Sequence, residues 1–265
     1  MIIPYLEVEI TDHCNLRCAN CTHHSPYMDA GFYPLEQFRE DVANLGRAAK
    51  FDSIRVMGGE PLLNPEVVEY VKILCASGMF EHIGMATNGT LLDRADPELF
   101  HLLDFIDVLL YPTPAQQKVA AEAARIAREF PGLMVNRMSP GHFWQEDFQG
   151  RIEDGRIVER IWRECGMKFC NAIYQGYYVQ CVQTYRKPKF MQRLGVRDER
   201  LEDWRRDAVK LDSPRLEERL QAFLGNRQMP EACNWCLGQS GKDITHHQQP
   251  LGKEIGFFSR ELLKW

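Results

Sequence analysis

Leu6-Glu7-Val8-Glu9-Ile10-Thr11, running into Asp12-His13-Cys14-Asn15-Leu16-Arg17-Cys18-Ala19-Asn20-Cys21, is the stretch on which the reading of this chain turns. Its first part alternates apolar and polar residues as a half-buried strand does. Its second part places three cysteines, spaced C-x3-C-x2-C, on the loop behind that strand. Outward from it the pattern repeats, with apolar strands expected at Leu6–Thr11, Ile54–Met57, Ile83–Thr87, Ile106–Tyr111 and Leu133–Met138, separated by amphipathic helices. Strands alternating with helices give parallel strands with crossover helices outside, an α/β architecture.

The helix starts share one device, a capping side chain before a proline whose missing N–H costs nothing at the first helical position: Asn64-Pro65, Asp96-Pro97 and Thr113-Pro114. Leu35, Phe38, Val42 and Leu45 share one helical face; Val68, Val71 and Cys75 share another before Gly78, so Cys75 is expected in the core. After about residue 140 the pattern shifts to Gly- and aromatic-rich loops, a hairpin around Gln175-Gly176, and a charged helical stretch from Leu201 to Leu224 restarted at Ser213-Pro214. A boundary is expected near residue 150, dividing 1–150 from 151–265.

Composition excludes several classes. The 265 residues are 45% hydrophobic and 26% charged, close to an ordinary globular chain and far from a disordered or collagen-like one. Lys+Arg 32 against Asp+Glu 37 gives a net charge of -5, with no basic run to suggest nucleic acid or an anionic membrane as partner. No signal-like start or long apolar window stands out, so the chain is read as cytoplasmic and unanchored. Nine cysteines in that compartment then point to metal binding or catalysis rather than disulfides.

Three thiolates on one short loop suit a [4Fe-4S] cluster whose fourth iron stays open, whereas structural zinc wants four closed ligands. One βα unit later, Ser53-Ile54-Arg55-Val56-Met57 runs into Gly58-Gly59-Glu60-Pro61. Glycines at the end of a parallel strand allow close backbone approach to a ligand, and Glu60 can accept from an ammonium group, although the tetrapeptide alone is also a plain tight turn.

Taken together, Cys14-Asn15-Leu16-Arg17-Cys18-Ala19-Asn20-Cys21 and Gly58-Gly59-Glu60-Pro61 make the sequence resemble the radical S-adenosylmethionine (SAM) superfamily. The resemblance covers roughly the first half and implies a partial (β/α) barrel. It implies Cys14, Cys18 and Cys21 as cluster ligands, Gly58 to Pro61 beside the methionyl amine, and Thr87-Asn88 near the nucleoside. SAM is then cleaved to a deoxyadenosyl radical that takes a substrate hydrogen, with an external donor such as flavodoxin or ferredoxin supplying the electron. Asn20 stands where many relatives carry an aromatic, leaving the adenine contact unassigned.

Arg137 is a candidate partner for the SAM carboxylate, or a surface arginine at a strand end. Glu7 and Glu9 face the barrel lumen as substrate contacts if the apolar alternates pack on the helices; otherwise they lie on a solvated edge. His13, His23 and His24 flank the cysteine loop as SAM or substrate contacts or as packing, and His246-His247 is read as surface.

Beyond the boundary, Cys165, Cys170, Cys181, Cys233 and Cys236 remain, with Gly176 five residues before Cys181 and a C-x2-C knuckle at 233–236. This resembles the twitch or shortened SPASM appendage, which implies one auxiliary [4Fe-4S] cluster and so two clusters in all. Cys165, Cys181, Cys233 and Cys236 are assigned to it, with Cys170 the alternative to Cys165 and otherwise a spare thiol, either a hydrogen-atom donor or buried filler; a zinc site is the structural alternative. Trp162, Phe169, Tyr174, Tyr177, Tyr178 and Trp235 are expected to shield that cluster.

The function implied is dehydrogenation or epimerisation of a small polar molecule such as a sugar, aminocyclitol or glycoside. A peptide substrate is the alternative, disfavoured because the first strand begins near residue 5 with no leader-gripping module before it. A noncatalytic iron–sulfur or zinc protein is a third reading, which leaves Gly58-Gly59-Glu60-Pro61 without a purpose.

Overall fold

The computed structural model describes residues 1–140, 143–147 and 150–249. Four βα units and a fifth strand open the chain: β1 (Ile2–Thr11), α1 (Leu35–Gly46), β2 (Lys50–Gly58), α2 (Val67–Ser77), β3 (Phe80–Thr87), α3 (Pro97–Leu102), β4 (Phe105–Leu109), α4 (Gln116–Glu129) and β5 (Met134–Met138). There follow β6 (Phe143–Trp144), α5 (Gly155–Glu164), β7 (Ala172–Tyr174), β8 (Tyr177–Val179), α6 (Gln183–Arg193), α7 (Glu199–Glu202), β9 (Val209–Lys210), α8 (Leu216–Gly225) and β10 (Asp243–Ile244).

The main sheet has the order β5-β4-β3-β2-β1-β7-β8-β9, and β6 pairs separately with β10. Strands β1 to β5 are mutually parallel, and β7 runs parallel to β1 with Glu7 opposite Ala172. An open, curved run of parallel strands backed by helices is a partial β/α barrel. The division expected at residue 150 is no break in this sheet, because β7, β8 and β9 extend it directly.

The period of two sorts the side chains. Leu6, Val8 and Ile10, with Ile54, Val56, Ile83, Met85, Ile106 and Val108, enter the main core. Phe38, Val42, Leu45, Tyr70, Val71 and Leu74 of α1 and α2 meet them there. The alternate residues Glu7 and Glu9 therefore face the lumen, and both are buried. They do not lie on a solvated edge.

Several expectations need correction. Asp96 caps α3, its side chain accepting from the Glu98 N–H at 2.9 Å. Thr113 does not cap, because α4 starts later and Pro114 sits in the preceding turn. Asn64 accepts from the Glu66 N–H at 2.9 Å, in a turn that precedes the start of α2 at Val67, and donates to the Ile10 carbonyl at 3.0 Å, tying the α2 approach to β1. Cys75 is exposed, since the buried face of α2 runs through Val67, Tyr70, Val71 and Leu74 and Cys75 turns a further 100° away. The charged stretch 201–224 is interrupted by β9, because Val209 pairs with Tyr178 and adds an edge to the sheet. The hairpin at Gln175-Gly176 forms as expected, joining β7 to β8. Among the described residues no helix is long and apolar enough to cross a membrane.

Candidate functional site

Thr11 ends β1 and Gly58 ends β2 side by side, and the cysteine loop leaves from that edge. A Cβ on Gly58 would stand 2.3 Å from the Thr11 carbonyl oxygen, and one on Gly59 1.9 Å from that of His13. The glycines are needed because the cysteine loop itself lies against them. The Gly59 N–H donates to Thr11 O at 2.8 Å and the Glu60 N–H to His13 O at 3.0 Å, fixing the base of the loop. The close approach expected of a ligand is thus made, on this side, by the protein's own backbone.

Cys14, Cys18 and Cys21 line one cavity together with Gly58, Gly59, Thr87 and Asn88, while Met57, Ala86, Leu109, Tyr111 and Phe143 supply its apolar part. Burial pushes the Cys14 thiol up to about 12 and the Cys18 thiol up to about 11, and it raises Cys21 as well. Without a bound cation these sulfurs stay protonated, whereas cluster iron would draw off the protons. Side-chain and backbone N–H groups point at them: Leu16 N to Cys14 at 3.3 Å, Asn88 Nδ2 to Cys14 at 3.4 Å and Gln248 Nε2 to Cys18 at 3.2 Å.

Glu60 turns away from the cavity and is fully buried. It accepts from Leu62 N at 3.1 Å, Thr87 Oγ1 at 2.6 Å and Asn88 N at 2.8 Å, bracing the end of β3 against that of β2. Burial pushes its carboxyl up to about 7 against those donors. Pro61 is buried at the start of the following turn. Arg137 is exposed on β5, opposite Val108, and is not among the residues lining the cavity.

Of the flanking histidines, His23 lines the cavity. Its Nδ1 pairs with Glu9, whose other oxygen accepts from Tyr185 Oη at 2.5 Å and Arg186 Nε at 2.7 Å. Burial alone would raise the Glu9 carboxyl, but Arg186 and His23 together hold it at about 2. All the nearby hydrogen-bonding capacity of Glu9 is spent on the protein, so it orients His23. Burial opposes a charge on His23, yet Glu9 keeps it above its ordinary value. His24 instead packs on Phe190 at 4.2 Å and pairs with Asp147 at 2.8 Å; His13 lies against Phe32 at 5.4 Å.

A second cavity is lined by Cys165, Cys181, Cys233 and Cys236. Cys165 follows α5, Cys181 follows β8, and the knuckle sits on a short 3-10 turn, so three separated segments converge. Burial raises Cys181 and Cys233 strongly and pushes Cys236 up to about 12. Cys170 is not on this wall. Its thiol is pushed up to about 12 by burial and by Glu7, in whose company it lies at the lumen with Tyr5 and Arg55. Of the expected aromatic shield only Trp162 lines the cavity. Phe169 is exposed, Tyr174 stacks on Tyr185 at 4.1 Å, Tyr177 and Tyr178 pack elsewhere in the sheet, and Trp235 packs with Phe190 and Met191.

The two cavities share a polar partition. Thr22, on the wall of the first, donates to Glu146 at 3.0 Å. Glu146 and Gln183 are on the wall of the second, and Gln183 donates to the Thr22 carbonyl at 2.7 Å. Glu146 is pushed up to about 7 by burial and by the neighbouring Asp147. Lys187, fully buried beside Cys236, is neutralised by Asp147. No local pattern marks these residues, because Arg186 and Lys187 meet Glu9 and Asp147 only through packing. Tyr111 had a signal, standing just past the C-terminal end of a parallel strand, where such folds bind ligands. His246, expected at the surface, is buried against Phe143 at 4.6 Å and Tyr111 at 5.1 Å.

Comparison with known proteins gives three findings. Residues 8–111 match the model of the radical SAM superfamily. The GTP 3',8-cyclase of Moorella thermoacetica (strain ATCC 39073 / JCM 9320) is 40% identical over 98 residues, 34% of this chain and 28% of that protein. That of Rippkaea orientalis (strain PCC 8801 / RF-1) is 33% identical over 102 residues, 37% of this chain and 31% of that protein. The match thus spans about a third of the length of these curated relatives. The crystal structure of BtrN in complex with AdoMet and 2-DOIA aligns at a TM-score of 0.54 and 16% identity, over 89% of this chain and 93% of that one, which shows a shared fold.

Proposed function

We propose, because residues 8–111 match the radical SAM superfamily, that the protein abstracts a hydrogen atom from a carbinol carbon of a small polar molecule and oxidises it to a carbonyl. The first cavity fits a [4Fe-4S] cluster: three thiols on one wall, no fourth cysteine there, and amide donors aimed at two of the sulfurs. Cys14, Cys18 and Cys21 hold it. Bound there with SAM, it supplies one-electron cleavage of the sulfonium to methionine and a 5'-deoxyadenosyl radical. Gly58 and Gly59 give the cavity a bare backbone edge for the methionyl amine, Thr87 and Asn88 stand by the nucleoside, and His23, held by Glu9, meets the substrate hydroxyl.

The observation that carries the oxidative outcome is the second cavity, lined by four cysteines and separated from the first by the hydrogen-bonded pair Thr22 and Glu146. Turning an alcohol into a carbonyl removes a hydrogen atom, a proton and an electron, and a site for the electron's acceptor is needed beside the substrate. Cys165, Cys181, Cys233 and Cys236 are suited to hold such an acceptor, an auxiliary [4Fe-4S] cluster. Epimerisation needs a thiol facing the substrate; Cys170, at the lumen beside Glu7 and Arg55, is the candidate for it, and the reaction product separates the two outcomes. A small substrate of sugar, aminocyclitol or glycoside type suits the polar lumen of Glu7, Arg55, Asp107 and Asn136, in which Arg55 pairs with Asp107 at 2.8 Å. A flavodoxin- or ferredoxin-type donor supplies the first electron.

Anaerobic reconstitution followed by iron and sulfide analysis should give about eight irons per chain. With dithionite and SAM it should release deoxyadenosine. Position-labelled deuterated polyols and aminocyclitols should pass deuterium into that deoxyadenosine and yield the ketone. Zinc in place of iron, with no SAM cleavage, rejects the reading; deuterium transfer with an inverted alcohol as product rejects its oxidative half.

A further inference from the structure

We propose that Gln248 is a positioning residue of the first cavity: the segment from Leu237 to Gln249 closes over the cysteine loop, and the Gln248 side-chain amide hydrogen-bonds the Cys18 sulfur, raising the reduction potential of the cluster held there. This rests on the assignment of Cys14, Cys18 and Cys21 to an iron–sulfur cluster.

The path of the segment is continuous. It leaves the knuckle with the Leu237 N–H donating to Glu146 O at 2.7 Å. It then passes so close to Gln145 that a Cβ on Gly241 would stand 2.1 Å from that carbonyl oxygen, and pairs as β10 with β6. His246 is next buried against Tyr111 and Phe143, two residues of the cavity's apolar wall. Finally Gln248 forms an antiparallel bridge with Cys18, flanked by Ala19 N to His247 O at 2.9 Å and Gln249 N to Arg17 O at 2.8 Å. A dozen residues thus run from a cysteine of the second cavity to a cysteine of the first.

The amide can point only one way. Its Oε1 accepts the Arg17 N–H at 2.6 Å, and a backbone N–H is a donor alone, so the oxygen must face it. The NH2 group is then left facing Cys18 Sγ at 3.2 Å and His246 Nε2 at 3.2 Å. An N–H directed at a ligating sulfur withdraws charge from the cluster and favours its reduced form, one of the means by which proteins set such potentials. The main-chain pairing around Gln248 does not depend on its side chain. Gln248→Met keeps length and apolar bulk while removing the donor.

The test is a redox titration of the reconstituted full chain, following by electron paramagnetic resonance the reduced-cluster signal that changes when SAM is added. With iron content unchanged, Q248M should shift that signal about tenfold toward the oxidised form at a given potential, about 59 mV for one electron. An unaltered midpoint at unaltered iron content overturns the proposal. Should Q248M fail to take up iron, wild type decides. Pulsed resonance on protein labelled with amide-15N glutamine should show nitrogen coupled to the SAM-responsive signal, and its absence overturns the proposal. If wild type itself gives no SAM-responsive signal, the cluster assignment fails first, and this inference with it.

Discussion

Gly59→Ala tests the geometry on which the site is built. The added Cβ would lie 1.9 Å from His13 O, 2.2 Å from His13 C and 2.9 Å from Cys14 N, all of them main-chain atoms that cannot rotate away. To reach the 3.4 Å at which ordinary contact begins, the end of β2 and the start of the cysteine loop must part by about 1.5 Å. That separation breaks the hydrogen bond from Glu60 N to His13 O, worth about 1 kcal/mol, and strains that from Gly59 N to Thr11 O. Overpacking adds about 1–3 kcal/mol, so the variant should lose about 2–4 kcal/mol in urea unfolding of the metal-free chain. Displacement of Cys14 on this scale should also lower deoxyadenosine formation about 100-fold per reconstituted cluster. A G59A protein within about 0.5 kcal/mol of wild type and equally active would refute the close-packing argument for this glycine.

Two further outcomes follow from the same structure. Because Cys165 and not Cys170 shares a cavity with Cys181, Cys233 and Cys236, reconstituted C165A should fall to about four irons per chain while C170A keeps about eight; the reverse pattern would exchange their assignments. Glu60, raised from 4.5 to about 7 by burial, contributes stability that is present below about pH 4.5 and lost as pH rises through about 7. Urea unfolding across that window should show stability declining with pH in wild type and declining less steeply in E60Q. Some slope persists from Glu146, which shifts in the same direction, and an identical slope in both proteins counts against the burial argument.

Local pattern settled much of this molecule. Alternation in Leu6–Thr11 carried the strand and put Glu7 and Glu9 on one face of it; that this face is the buried lumen came only with the packing. Cysteine spacing carried the first site, because C-x3-C-x2-C places three sulfurs on one loop whatever surrounds it. Gly78 and Asp96-Pro97 marked helix ends through short-range backbone rules that need no distant partner.

Only the tertiary structure could decide the rest, since those features depend on residues far apart in sequence and close in space. Glu9 reads as a substrate contact until Arg186 and Tyr185, 177 and 176 residues away, occupy its carboxylate. Gly59 reads as room for a ligand until His13 fills that room. His246 reads as a surface residue until the chain returns over Cys18. Periodicity encodes which face of an element is apolar, but not which other element meets its polar face. Burial and desolvation, which give that polar face its chemistry, come only with the packing.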